Sequence, residues 1–207
     1  MATPRRDVPA LTAAQVQGGM LCANRRDLVR ALSLPQGGTV AELGVGLGDF
    51  SEFLLTTLAP RLFVGIDTFI LHTLPAVWGR STAEIFGGAT HLAHYRARFA
   101  ALGDRVQAVR AQSHEGLAGF ADASFDLIYI DAGHTESEVQ ADTDVAVRKL
   151  SPGGTLMFND YTMFNHLGGH PYGVVPVVNA LVAGGGWRVA GFALHPQMFC
   201  DIALRRV

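Results

Sequence analysis

The sequence predicts an α/β domain, on three observations. Strand-like apolar runs alternate with segments of helical period from residue 39 onward. Phe125-Asp-Leu-Ile-Tyr-Ile-Asp131 is nearly continuous in apolar residues, as a central parallel strand buried on both faces requires. Between the first such strand and the helix after it stand Gly44, Gly46 and Gly48. Glycines at every second position suit neither a helix interior nor a strand, but they let a backbone turn tightly against a ligand. A chain of 207 residues with 49% hydrophobic content can bury one good core. Residues 1–20 bear Pro and Arg, end in Gly18-Gly19 and read as a flexible arm; residues 21–207 read as one domain.

In chain order, Asn24 is placed to cap a short helix with Leu28, Val29 and Leu32 inward. Residues 39–43 read as a buried strand, and Phe50, Phe53, Leu54 and Leu58 recur at helical spacing after it. Arg61–Asp67 is a second strand. Residues 68–88 are rich in Gly, Pro and aromatic residues without a clean period, and a gap of that length in a compact domain is usually functional or disordered. Thr90 precedes a helix to about Leu102, and Arg105–Arg110 is a third strand. Ser113 is placed to cap a short helix before Phe120, and Phe125–Asp131 is the fourth strand. Thr135 and Glu138 form a capping box for a helix that Ser151-Pro-Gly-Gly154 stops. Thr155–Phe158 is the fifth strand, and residues 161–171 form a second long loop. A helix over 173–183 precedes two strands, 187–194 and 198–205, which have no helix between them and must pair as a hairpin.

The spacing of the glycine turn narrows its ligand. A dinucleotide loop wants G-x-G-x-x-G, but the sixth position from Gly44 is Asp49, and an acid, Glu42, sits two residues before the first glycine. That acid suits an ammonium better than a pyrophosphate. Glu42, Gly44, Gly46 and Gly48 resemble the E/D-x-G-x-G-x-G motif of class I S-adenosylmethionine-dependent methyltransferases. Asp67 lies where an acid takes ribose hydroxyls in doubly wound folds, close to the ~20-residue offset usual there. The resemblance covers roughly residues 38–206. It implies a Rossmann-like sheet of seven strands ordered 3-2-1-4-5-7-6 with the last antiparallel, helices on both faces and S-adenosylmethionine as cofactor. It implies cofactor contacts from Glu42, Gly44, Gly46, Gly48, Asp67, Thr68 and Asp131. Gln112 and Ser113 stand where the class often contacts adenine, although Ser113 serves equally well as a helix cap.

Strand ends of an open α/β sheet face its ligand crevice. The fourth strand brings Asp131 there, followed by His134, and the fifth brings Asn159-Asp160. Two carboxylates and an amide oxygen suit a hard cation such as Mg²⁺. The run of Asp131-Ala-Gly-His134, Ser151-Pro-Gly-Gly154, Asn159-Asp160-Tyr161 and Gly173-Val174 is similar to a small methyltransferase branch that includes metal-dependent O-methyltransferases of macrolide sugars. That resemblance implies His134 as general base, with Asp131 in the catalytic centre, and Asp131, Asn159 and Asp160 as metal ligands. Asn159 departs from the Glu usual in metal-binding members, a loss of charge that weakens such a site. Asp131 as a cofactor contact or helix cap, and Asp160 as a loop residue, remain open at this stage. His72, His91, His94, His166, His170 and Tyr161 lie in the two irregular stretches, where contact with substrate and a structural role are both open.

The expected reaction is O-methylation of a small hydroxylated acceptor, closed in by loops 68–88 and 161–171. N- or C-methylation without metal leaves no shorter signature, and a nicotinamide-dependent oxidoreductase is the rival that Glu42 and Asp49 count against. A formal charge of −2 leaves no electrostatic footprint for nucleic acid or an anionic membrane. No apolar run reaches the ~20 residues of a membrane span. Cys22 and Cys200 are too few for a disulfide scaffold or a zinc site, so a reducing cytoplasm is the expected compartment. Homo-oligomerisation is a family expectation only.

Overall fold

The computed structural model describes residues 7–207, so residues 1–6 of the expected arm lie outside the described residues. The rest of that arm differs from the expectation. Ala13–Val16 form a one-turn helix (α1), and the Gln15 amide donates to the Val182 carbonyl at 3.0 Å. Met20–Cys22 form a strand (β1) paired in parallel with Gly191–Ala193. An edge strand offers unpaired amides and carbonyls, and a passing segment satisfies them. β1 thereby adds an eighth strand to the sheet.

Arg25–Ala31 (α2) is capped as expected, with Asn24 Oδ1 accepting from the Asp27 amide at 3.0 Å. Thr39–Leu43 (β2) enters the glycine turn, and Asp49–Leu58 (α3) leaves it. After Leu62–Asp67 (β3), the irregular stretch folds into a small hairpin, Ala76–Val77 (β4) with Arg80–Ser81 (β5), and a short helix, Thr82–Phe86 (α4). His91–Arg98 (α5) ends before Leu102, because the chain tightens into a 3₁₀ stretch broken by Gly103 at φ 56°. Val106–Arg110 (β6), Ser113–Ala118 (α6), Phe125–Ile130 (β7) and Glu136–Lys149 (α7) follow. In Leu150–Phe158 (β8), Phe125 pairs with Leu150 and Leu127 with Thr155, so the expected stop at 151–154 is a bulge inside the strand. Phe164–Asn165 (β9) and His170–Pro171 (β10) make a second small hairpin before Val174–Ala183 (α8). Trp187–Ala193 (β11) and Asp201–Arg206 (β12) close the sheet.

The sheet order is β1-β11-β12-β8-β7-β2-β3-β6, and β12 runs antiparallel to both neighbours. Without β1 this is the expected order. Side chains alternate across the sheet, as a two-residue period dictates. Ala41, Leu43, Ile128 and Ile130 pack under α6, α7 and α8, while Val40, Leu127 and Tyr129 pack under α2, α3 and α5. A fully buried residue such as Leu54 or Leu43 contributes about 1.5–3 kcal/mol through its loss of water contact. The strand order reverses between β2 and β7, so their carboxyl ends open a crevice. Among the described residues no helix is long and apolar enough to cross a membrane.

Candidate active site

The turn after β2 is held by its neighbours on both sides. The Gly44 amide donates to the Ile66 carbonyl at 2.8 Å, and the Asp131 amide donates to the Leu43 carbonyl at 2.8 Å. Gly44, Gly46 and Gly48 all take positive φ, at 81°, 50° and 89°. A Cβ on Gly44 would stand 2.1 Å from the Asp131 carbonyl oxygen, so only glycine fits between the two strand ends. A Cβ on Gly46 would meet no backbone, only the exposed Trp78 ring at 3.3 Å, which would have to give way slightly. His91, at 0% exposure, sets its Nε2 2.5 Å from the Gly46 carbonyl oxygen. A carbonyl only accepts, so that nitrogen carries the proton, and burial keeps the imidazole neutral. His91 thus braces the turn.

Asp67 ends β3 beside the turn. Its Oδ2 accepts from the Val45 amide at 3.0 Å and its Oδ1 from the Phe69 amide at 2.7 Å. Oδ1 also accepts from the Thr68 hydroxyl at 3.4 Å, so Oδ2 is the oxygen that keeps a lone pair for a ligand.

Glu42 lies beneath the turn at 1% exposure and does not line the cavity. Ser51 of α3 donates to its Oε2, and the Tyr95 hydroxyl of α5 donates to Ser51 at 3.0 Å. Burial pushes the Glu42 carboxyl up to about 8, against the pull of the Ser51 hydrogen bond. The folded protein therefore keeps a proton that the unfolded chain loses near pH 4.5. Stability from this group is complete below that pH and is lost as pH rises through about 8. Glu42→Gln, which stays neutral, should reduce the fall in melting temperature between pH 5 and 8 by roughly 7–14 °C, or about 3.5 kcal/mol. Thermal unfolding across that range checks it, and equal slopes in the two proteins would contradict it.

The crevice is a cavity of about 1000 Å³. Gly44, Gly46, Asp67, Thr68, Gln112, Ser113, Asp131, His134, Asn159 and Asp160 all line it, so nearly every residue singled out from the sequence faces one space. Gly48 serves instead as the backbone cap of α3. Gln112, not Ser113, is the N-cap residue of α6, and its side chain makes no capping bond, which leaves both side chains facing the cavity.

A family model described as a methyltransferase domain matches residues 41–161, more than half of the chain. The chain belongs to that family. S-adenosylmethionine is the methyl donor that membership implies. The cavity fits such a donor at the glycine turn: Gly46 lines it without a side chain, beside an acid whose Oδ2 keeps a lone pair. Solved structures agree on the fold. A Corynebacterium glutamicum protein aligns over 97% of this chain and 83% of its own, at 16% identity and a TM-score of 0.59. An S-adenosylmethionine-dependent methyltransferase from Aquifex aeolicus aligns over 87% and 88%, at 15% identity and a TM-score of 0.57. An rRNA methylase from Streptococcus thermophilus aligns over 88% and 93%, at 14% identity and a TM-score of 0.57. At such identities the likeness concerns the fold alone. No curated protein matches the chain.

Beside the turn, this methyltransferase's cavity also holds three carboxylates. Asp131 follows β7, Asp160 follows β8, and Asp201 opens β12 at 1% exposure. Tyr129 donates to Asp201 Oδ1 at 2.8 Å, and the Asn159 amide nitrogen donates to the same oxygen at 3.2 Å. Arg25, the first residue of α2, sets Nη1 2.8 Å from the Tyr129 hydroxyl and 3.3 Å from Asp131 Oδ2. These residues do not fit the expected divalent ion. Asn159 turns a donor into the cluster, a guanidinium already contacts Asp131, and no group of three His, Cys, Asp or Glu is arranged to hold a metal among the described residues. Asp131, Asn159 and Asp160 thus stand together at the cavity, with Asp131 and Asn159 already engaged by protein partners rather than turned toward a shared ion.

His134 is held beside these carboxylates. Its ring stacks on Tyr172 at 4.5 Å and 15°, with Nε2 3.4 Å from Asp160 Oδ2 and 3.9 Å from Asp131 Oδ1. Neither contact is aligned as a hydrogen bond, so Nε2 is buried without a partner among the described residues. Burial lowers the imidazole to about 4, which leaves it neutral near pH 7. Burial also pushes Asp160 up to about 6. Asp131 rises through burial, Arg25 pulls it down, and Asp160 and Asp201 add to the rise. Arg25, Tyr172 and Asp201 also line the cavity, with Tyr129 bonded beneath them, and pattern reading missed all four. One signal existed for Asp201: an antiparallel last strand begins at the edge where its parallel neighbours end.

Proposed function

We propose that this methyltransferase acts on a hydroxyl group of a small acceptor, with His134 as the general base. The observation that carries the reading is His134 Nε2: buried, neutral, without a hydrogen-bond partner, and lining the same cavity as the glycine turn and Asp67. A buried polar atom left unpaired is costly, and a substrate hydroxyl would satisfy it.

When bound, S-adenosylmethionine supplies a methyl group on a sulfonium, whose carbon–sulfur bond breaks with its electron pair left on sulfur. The chain's own residues do the rest. Asp67 would accept from ribose hydroxyls, and Gln112 and Ser113 would meet the base. His134 Nε2 takes the acceptor's hydroxyl proton as its oxygen bonds to the methyl carbon. The imidazolium so formed stands beside Asp160 and Asp131, which stabilise its charge. Both irregular stretches contribute walls: Thr68, Ile70, Leu71 and Trp78 from one, Asn165 and Leu167 from the other. Alignment of oxygen, carbon and sulfur in this enclosed space supplies most of the rate.

The test is incubation with labelled S-adenosylmethionine and a panel of phenols, sugar alcohols and amines. Methyl transfer to oxygen is expected. Transfer only to nitrogen or carbon would replace this reading, and absence of donor binding by calorimetry would remove it.

A further inference from the structure

A cluster of three acids in a partly enclosed cavity needs a positive charge, since isolated buried carboxylates are strongly unfavourable. Arg25 is that charge. Asn24 fixes its backbone at the start of α2, and its guanidinium carbon lies 4.3 Å over the Phe50 ring, on a buried face of α3. Tyr129 gives its proton to Asp201 and so presents a lone pair to Arg25 Nη1. Burial opposes the guanidinium's charge, but Tyr129, Asp131 and Asp201 outweigh it and hold Arg25 protonated. The side chain remains 37% exposed and lines the cavity, and its Nε and Nη2 groups have no hydrogen-bond partner among the described residues.

We propose that Arg25 is the resident cation of the acceptor site and a catalytic residue, taking the place at Asp131 that the sequence pattern assigns to a divalent ion. This rests on the hydroxyl-methylation reading above. Arg25 and His134 contact opposite oxygens of one carboxylate, so an acceptor hydroxyl beside Asp131 reaches both. The acceptor O–H bond breaks and its proton passes to His134 Nε2. The oxygen pair forms the O–CH₃ bond, and the sulfur keeps the pair of the bond it loses. Arg25 exchanges nothing. Its free N–H groups donate to the oxygen as negative charge develops there, in a geometry already set by Phe50 and Tyr129. A planar guanidinium can hold Asp131 with one nitrogen and the acceptor with the others.

Electron paramagnetic resonance of Mn²⁺ tests the cation claim without any acceptor. Wild type and Arg25→Lys should leave the free-ion spectrum unchanged to about 1 mM, whereas Arg25→Ala, with the carboxylates uncovered, should bind Mn²⁺ on the order of tenfold more tightly. Should Arg25→Ala fail to fold, Arg25→Gln removes the same charge with less lost volume. Binding by wild type or Arg25→Lys as tight as by Arg25→Ala overturns the proposal, as does binding by none of the three. With an acceptor in hand, wild-type turnover should survive a chelator, and Arg25→Ala should lose on the order of 10²-fold in kcat with donor affinity unchanged. Loss of wild-type turnover on chelation, or an unchanged kcat in Arg25→Ala, overturns it. Failure of methyl transfer altogether would strike the earlier reading and leave the Mn²⁺ result standing.

Discussion

His134→Ala is expected to slow methyl transfer by about 10²–10⁴-fold while leaving donor affinity unchanged. The imidazole makes no hydrogen bond or ring contact with the glycine turn or with Asp67 among the described residues, so its loss leaves the cofactor cradle intact. Alanine also removes the partner of Tyr172, and that stack shapes the acceptor wall. His134→Phe separates the two effects, because phenylalanine keeps a ring against Tyr172 and offers no nitrogen. If the base is what counts, both variants lose kcat to the same degree. If shape counts, His134→Phe recovers most of the rate. Since burial holds the imidazole near 4, protonation of His134 should not limit the wild-type rate between pH 6 and 8. Full activity in His134→Ala would reject the base.

The second large effect separates a turn from a cradle. Gly46→Arg should fold, yet lose donor affinity by on the order of 10²-fold or more, read by calorimetry. At φ 50° a side chain costs about 1–2 kcal/mol, and its only neighbour is the exposed Trp78 ring, so the chain can accommodate it. The arginine would then fill the space where the donor approaches the backbone. Gly44→Ala behaves differently. Its Cβ would collide with the Asp131 carbonyl oxygen, pulling apart strands joined through Leu43 and Asp131, at a cost of about 3 kcal/mol or more. Gly44→Ala should melt early, whereas Gly46→Arg should melt near wild type and bind poorly. Donor affinity retained in Gly46→Arg would place the cofactor elsewhere.

What was legible in the sequence followed from local chemistry. The capping box at Thr135 and Glu138, the N-cap at Asn24 and the apolar run of β7 each have causes within a few residues, and each appears as read. The crevice was legible because topology puts strand ends together, so Asp67, Asp131, His134, Asn159 and Asp160 could be gathered before any contact was known. What each does there depended on partners far along the chain. Nothing beside Asp131 announces Arg25, yet that guanidinium decides what kind of cation the carboxylates meet. Glu42 matched its motif, but strand parity turned it toward Ser51 and Tyr95. Gly65 belongs to the same account: a Cβ there would stand 2.6 Å from the Tyr95 hydroxyl, so the glycine admits the oxygen that completes the relay. The edge strand β1 escaped because three residues carry too little pattern.

The Tyr129 hydroxyl joins Arg25, near one end of the described chain, to Asp201, near the other. The glycine turn, by contrast, draws its partners from Asp67, His91 and Asp131, all before the last strands. The two halves of the cavity therefore differ in when they can exist. A chain emerging from the ribosome can shape the donor half before its last strands exist. The acceptor half waits until β12 has threaded between β8 and β11 and its first residue has met Tyr129. Fraying of that last strand would undo the acceptor half first, leaving a protein that still holds its donor and has nowhere to deliver the methyl group.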